Sequence, residues 1–313
     1  MKFEKKGLLY QVNNLSEWAF SHCHKPTPLL IDEKTIRVYF GVRDIKNRTR
    51  TTFVDLDSTD VNHLQIKYIH NEPVIDLGKL GTFDDSGANV CSVVRNDELI
   101  YMYYIGWNPS TTVPTRNSIG LAVSEDGGYT FKRLYDGPIL DRNKNEPYYI
   151  GAVDVIKENS LWKCFYTCGT QWIIIDGKPE IKYHIKYAVS DNGIDWERNN
   201  IDSILPNNFN ECVARPCVLY DKDIYRMWYS KRSVIGFRKD SKKSYRPGYA
   251  ESKDGIHWSR KDDEIKLPLS PLGWDSKAIA YPYVIKINHD YVMFYNGNDF
   301  GRSGFGYAIG KNE

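Results

Sequence analysis

The sequence has no apolar run of the roughly 20 residues that a membrane-spanning helix needs. It also lacks an excess of one charge: 42 Lys and Arg face 40 Asp and Glu, a net of +2. A general nucleic-acid binder, whose affinity rests on neutralising phosphates, is therefore not expected. The opening stretch MKFEKKGLLYQVNN has no apolar core of signal-peptide length. The six cysteines form no C-x-x-C pair and no metal-ligand spacing, so no metal and no cofactor are expected. Cys91, Cys164, Cys212 and Cys217 fall in or beside expected strands, where a cysteine behaves as a small core residue. Free thiols fit a reducing compartment, which makes the cytoplasm the expected location, with no membrane insertion. No linker or low-complexity segment breaks the chain.

What the chain has is aromatic side chains, 14% of all residues, 23 of them Tyr. Aromatics pack well on half-buried pleated surfaces and so favour strands. They are distributed in a repeat. IGLAVSEDGGYTF (119–131), IKYAVSDNGIDW (185–196), PGYAESKDGIHW (247–258) and FGYAIGKNE (305–313) are versions of one strand and turn. Ala122, Ala188, Ala250 and Ala308 mark them about sixty residues apart, and one further step back lands near Val54 in TRTTFVDLDS. The preceding strand recurs as IRVYFGVRD, IYMYYIGWN, LWKCFYTCG, YRMWYSKR and VMFYNGND, with Phe40, Tyr104, Tyr166, Tyr229 and Tyr295 equivalent. Five small antiparallel sheets in series imply an all-β, five-bladed β-propeller of four-stranded blades, one domain over residues 1–313. The last repeat lacks an outer strand, so residues 3–12 are expected to supply it and close the ring.

In each blade the first strand should line the channel: HKPTPLLID, NVCSVVRND, GAVDVIKEN, ARPCVLYDK and AYPYVIKIN. A polar segment precedes each one, at residues 18–23, 83–88, 146–150, 207–212 and 273–278, and all five should gather at one face. Second strands end at the same face, at Arg43, Trp107, Gly169, Arg232 and Asn298. Loops collected over a channel mouth are a natural site. The mouth gathers carboxylates (Asp84, Asp85, Glu146, Asp154, Glu211, Asp275) and cations (His22, His24, Lys25, Arg43, Arg215, Lys231, Arg232, Lys277). Two carboxyl groups with separate roles are what glycoside cleavage uses, and clustered cations point to an anionic ligand. The SEDGGYTF, SDNGIDW and SKDGIHW turns lack the regularly spaced oxygens of calcium loops. Asp126, Asp191 and Asp254 are expected to bond their own backbone, with Phe131, Trp196 and Trp258 packed between blades.

The five-fold repeat, with AESKDGIHW and MFYNGNDFGRSGFGYA, resembles the five-bladed propeller glycosidases of glycoside hydrolase families 32, 43 and 68 and the mannoside phosphorylases of family 130. More narrowly it resembles the glycosidase-like proteins of bacterial surface-polysaccharide gene clusters. The resemblance implies a carbohydrate-active, hydrolase-like function on a sugar, sugar phosphate or glycan. Glu211-Cys212 matches the E-C dipeptide of family 32, three residues early relative to the strand Pro. His24-Lys25-Pro26 stands where those families have an acid before Pro, and Asp154 lies one position beyond the blade-three acid. The expected assignment is Glu211 as acid, with Asp85 or Asp154 as base. His24, Lys25, Arg215 and Arg232 would hold an anion. Trp107 and Tyr281 would be sugar platforms, and Asp84, Asp275 and Asn298 further contacts. Phosphorolysis with inorganic phosphate and non-catalytic glycan binding are the alternatives.

Overall fold

A computed structural model describes residues 1–311 and shows five four-stranded antiparallel sheets arranged as the blades of a propeller. The inner strands are Ser21–Asp32, Ala88–Asn96, Tyr149–Glu158, Glu211–Asp221 and Ala280–Ile287. Each is followed outward by the next strands of its own repeat, so every blade is a meander and nearly all pairing is local. Phe3–Tyr10 pairs antiparallel with Phe305–Lys311, making the first residues of the chain the outer edge of the last blade. Ring closure thus falls where the missing fourth strand of the last repeat predicts. Asn312 and Glu313, which end the FGYAIGKNE repeat, lie outside the described residues.

The repeated turn residues behave as local devices. Asp126 Oδ1 accepts from the Tyr129 and Thr130 N–H groups, and Asp254 Oδ1 from those of Ile256 and His257. In the third turn Asn192, not Asp191, does this work, accepting from Ile194 and Asp195. Asn192 precedes the turn glycine as Asp126 and Asp254 do, so the expectation for Asp191 was one residue out of register. The aromatic after each turn reaches the preceding blade: Phe131 meets Tyr39, Trp196 meets Tyr103, and Trp258 meets Phe165 edge-on. The six cysteines are free and buried.

Four blades carry the same buried clamp. The second-strand Tyr hydroxyl donates to a carboxylate, and a cation from the outer strand closes the set. In blade two Tyr104 and Arg133 hold Asp84, at 3.0 and 2.7 Å. In blade three Tyr166 and Arg198 hold Glu146, both at 2.7 Å. In blade four Tyr229 donates to Asp262 at 2.6 Å, while Arg260 bridges Asp262 and both oxygens of Glu211. In blade five Tyr295 and Lys5 hold Asp275, at 3.1 and 2.6 Å. The ring needs a bare neighbour. A Cβ at Gly120 would lie 2.3 Å from Tyr104 Cζ, and one at Gly248 only 2.1 Å from Tyr229 Cε2. Blade one has Phe40 in place of the tyrosine.

Candidate functional site

All five inner strands break register at the same height: between His24 and Thr27, Val90 and Ser92, Ile150 and Val153, Ala214 and Cys217, and Ala280 and Tyr283. Bulges of this kind re-aim side chains next to sites. Three of them hold a non-glycine residue before a proline in the left-handed region, Lys25 (φ 52°), Arg215 (φ 56°) and Tyr281 (φ 55°). That conformation is costly for any residue with a Cβ and persists only where its surroundings enforce it. The enforcing groups are visible. The N–H of Lys25 donates to Asn296 Oδ1 at 2.7 Å, that of Arg215 to Thr167 Oγ1 at 3.2 Å, and that of Tyr281 to Ser230 Oγ at 2.7 Å. Each acceptor directly follows the clamp tyrosine of the preceding blade.

These three residues line a cavity of about 640 Å³ at the channel mouth. Its walls include His24, Lys25, Arg43, Lys46, Arg48 and Arg215, and no Asp or Glu among the described residues. Trp107, Tyr149, Tyr183, Tyr245, Tyr281 and Phe300 supply aromatic surface. The Lys25 ammonium lies 5.4 Å from the centre of the Tyr281 ring and has no ion pair or hydrogen bond to another described residue. Burial, reinforced by Arg215 and Arg43, pushes its pKa down to about 8. Arg43 donates to Asn47 Oδ1 at 2.9 Å, and its Nε has no partner; burial lowers its pKa as well. His24 stacks on His22 at 4.7 Å, and burial with Arg43 nearby holds both imidazoles neutral, His22 with a pKa of about 3. The buried atoms His24 Nε2, Asn89 Oδ1, Asn117 Oδ1, Arg43 Nε and Arg215 Nε, all on residues of this lining, have no hydrogen-bond partner among the described residues. Buried polar groups are normally paired, so such a concentration marks a place built for a polar ligand.

Arg215 forms the floor. It is fully buried and crosses the channel, donating from Nη1 to the Cys91 carbonyl at 2.6 Å and from Nη2 to Thr27 Oγ1 at 2.9 Å. Below it, Asp154 accepts from Ser92 Oγ (3.0 Å), the Tyr283 hydroxyl (2.9 Å) and the Val218 N–H (2.7 Å). Burial raises the pKa of Asp154, offset in part by these donors and by the Arg215 charge. Asp154 thereby ties four inner strands at the axis.

Of the residues anticipated for the site, the cavity brings together His24, Lys25, Trp107, Arg215 and Tyr281. The others lie elsewhere. Asp84, Asp275 and Glu211 are clamp members, and Asp85 accepts from the Gly81 N–H and the Ser86 hydroxyl within its own turn. Arg232 stands behind the wall, donating to the Tyr183 hydroxyl at 2.7 Å and stacking on Phe237. Asn298 pins the neighbouring loop by accepting from the Lys277 and Ala278 N–H groups. Tyr149, Tyr183, Tyr245, Asn89 and Asn117 join the lining without having been singled out. Tyr149, the first residue of its inner strand, falls in the polar segment 146–150 that the repeat marks, and that was the available signal. Tyr183 and Tyr245 come from third strands and their approaches, where the repeat carries no cue to the mouth.

No family model matches the chain. Two curated relatives, uncharacterized protein MT1551 of Mycobacterium tuberculosis strain CDC 1551 / Oshkosh and uncharacterized protein Rv1502 of strain ATCC 25618 / H37Rv, are each 33% identical over 315 residues, covering 100% of both chains. Among solved structures, a glycoside hydrolase superposes with a TM-score of 0.75 at 16% identity, covering 99% of this chain and 92% of its own. A thermostable family-43 glycoside hydrolase gives 0.63 at 15% identity, covering 94% and 90%. A structure from the GH130 family of mannoside phosphorylases gives 0.63 at 14%, covering 99% and 93%. At these identities the structures establish a shared fold. The chain belongs to the same family as MT1551 and Rv1502 of Mycobacterium tuberculosis, and it shares the five-bladed propeller fold of these solved glycoside hydrolase and phosphorylase structures.

Proposed function

We propose that this protein is a carbohydrate-active propeller that binds an anionic sugar, phosphorylated or carboxylated, at the mouth of its central channel. The observation that carries this reading is the lining itself: five Lys and Arg side chains, several aromatic faces and no carboxylate among the described residues. An anion there relieves repulsion among partly desolvated cations and accepts charge-assisted hydrogen bonds from Lys25 and Arg43. The aromatic rings suit the apolar faces of a sugar ring. A pair of carboxyl groups at the scissile bond, as glycoside hydrolysis ordinarily uses, has no counterpart in this lining, so anion recognition rather than cleavage of a neutral glycoside is the first reading.

Phosphorolysis is the second reading, and Lys25 is what favours it. An unpaired ammonium with a pKa of about 8 is charged at neutral pH yet can give up its proton, as a general acid must. Inorganic phosphate would then be the nucleophile held by Arg43. The glycosidase-like neighbours support a place in carbohydrate metabolism. Surface-polysaccharide metabolism in the cytoplasm is the setting we propose. Among the described residues no helix is long and apolar enough to cross a membrane. The test is calorimetric titration with sugar 1-phosphates, uronates and neutral oligosaccharides. Binding confined to the anionic sugars is expected, and binding confined to the neutral ones would overturn the reading. Phosphate-dependent turnover would select phosphorolysis.

A further inference from the structure

A second cavity, of about 440 Å³, adjoins the first and shares three residues with it: Arg43, Asn47 and Phe300. The two cavities meet at these residues, and of the three only Arg43 is charged. Arg43 is half-buried, with its Nε fully enclosed. His22, His24 and Lys25 around it are basic, and the Tyr281 phenol, which favours its charge, offsets its desolvation only in part. Among the described residues its only side-chain hydrogen-bond partner is the neutral Asn47, and Nε has none. Asp44, next in sequence, is fully committed to Arg48, Arg50 and the Lys46 and Arg48 N–H groups. A half-buried Arg without a carboxylate partner among the described residues can take an anion, and its planar fork suits the oxygens of a phosphate.

The two chambers differ in chemistry. The first is aromatic and basic. The second is lined by Ser21, His22, Asp44, Asp299 and Arg302, with Phe20 and Phe300. Asp299 is exposed, and its carboxylate has no hydrogen-bond or ion-pair partner among the described residues. Asp299 and Phe300 are both left-handed, at φ 54° and 59°, which presents them side by side where the two cavities meet. A free carboxylate, a hydroxyl, an imidazole kept neutral and the Arg302 guanidinium offer both acceptors and donors to sugar hydroxyls.

We infer that the ligand is bipartite, two groups joined through a phosphodiester or diphosphate, with the phosphate on Arg43, a ring against Trp107 and Tyr281 in the first chamber, and a polyhydroxylated group beside Asp299 in the second. This rests on the anionic-sugar reading and narrows it. A nucleoside diphosphate sugar and a sugar of a phosphodiester-linked glycan share this chemistry.

The test is titration of the whole protein with inorganic phosphate, glucose 1-phosphate, UDP, UDP-glucose and glycerophosphoryl-glucose. A bridged ligand should bind at least about tenfold tighter than both UDP and glucose 1-phosphate, the gain of a second occupied subsite. Asp299→Asn should weaken only the bridged ligand. Arg43→Met should bring it down to the level of its parts, and Arg43→Lys, which keeps the charge, should restore part of the loss while controlling for folding. Preference for UDP-glucose or for the glycerol diester tells the free nucleotide sugar from the polymer unit. Bridged ligands no tighter than glucose 1-phosphate, or an Asp299→Asn variant without selective effect, would overturn the bipartite site while leaving anion recognition standing. If phosphate, glucose 1-phosphate and every bridged compound all fail to bind, the anionic-sugar reading itself has failed.

Discussion

The N–H of Lys25, in blade one, donates to Asn296 Oδ1, in blade five, at 2.7 Å, across the seam where the ring closes. Asn296 is fully buried and also donates to the carbonyls of Cys23 and Gly304. One side chain therefore joins the first and last blades and holds Lys25 in a conformation it would not otherwise keep. Asn296→Ala leaves buried groups unpaired and should cost about 1–3 kcal/mol. It should also weaken sulfate binding more than a mutation of similar cost elsewhere, because Lys25 is free to relax. Denaturant melts with and without sulfate check both effects.

The strain at Lys25 makes a paired prediction. Lys25→Gly removes a Cβ from a left-handed position and a cation from a repelling cluster, so it should stabilise the unliganded protein by about 1 kcal/mol. It should abolish most anion-induced stabilisation at the same time. A site that trades stability for ligand recognition behaves in this way. Parallel thermal melts of the two proteins, with and without sulfate, measure it.

The clamp carboxylates predict the reverse pattern. Asp84 is fully buried on Arg133, and removing one partner of a buried pair typically costs ~3–5 kcal/mol. Asp84→Asn should lower stability on that scale and leave sulfate affinity unchanged. Glu211→Gln, which weakens the bridge to Arg260, should be milder and equally silent in binding. A large loss of ligand affinity from Glu211→Gln would return it to the site.

Much of this was legible in the chain. The spacing of Tyr104, Tyr166, Tyr229 and Tyr295 exposed the blades, because each repeat folds mostly on itself. Lys25 and Arg215 were legible because each precedes a proline in an inner strand; Tyr281, read only as a sugar platform, proves to hold the same place. The roles of the carboxylates were not legible. Asp84, Glu146, Glu211 and Asp275 gather in the expected loops, but their partners Arg133, Arg198, Arg260 and Lys5 lie on outer strands. Two of those strands are only two residues long and carry no recognisable repeat. A carboxylate before an inner strand reads the same whether it faces the channel or an outer cation. The bulges also escaped notice. Simple alternation along the inner strands cannot show that register breaks at one height in all five.

Lys25 gives the site a pH dependence whose sign can be worked out. Its folded pKa, about 8, lies below that of an exposed lysine, 10.5. Below pH 8 it is charged in both folded and unfolded chains, and its desolvation penalty is fully present. As pH rises from about 8 toward 10.5 the folded state loses the proton first, so the penalty is relieved and the unliganded protein gains stability from this group. Anion binding follows the opposite course, because it needs the ammonium. Sulfate, which does not titrate in this range, should therefore stabilise less at pH 9 than at pH 7, and Lys25→Met should flatten the difference.

Loss of ring closure should be severe. Deleting residues 1–12 removes the outer strand of blade five and the Lys5 partner of Asp275, leaving an open edge and a buried carboxylate with only Tyr295 as its donor. Melting of the truncated chain should occur far below that of the full chain or not cooperatively at all.

The central claim is that the channel mouth recognises an anion. The most direct measurement is the shift in melting temperature of the full chain across sulfate, phosphate, a sugar 1-phosphate, a uronate and a neutral oligosaccharide, each repeated on Lys25→Met and Arg43→Met. Stabilisation rising with anion concentration, by mass action on the folded state, and largely lost in both variants is the predicted result. Flat responses to every anion together with a rise on the neutral oligosaccharide would contradict it.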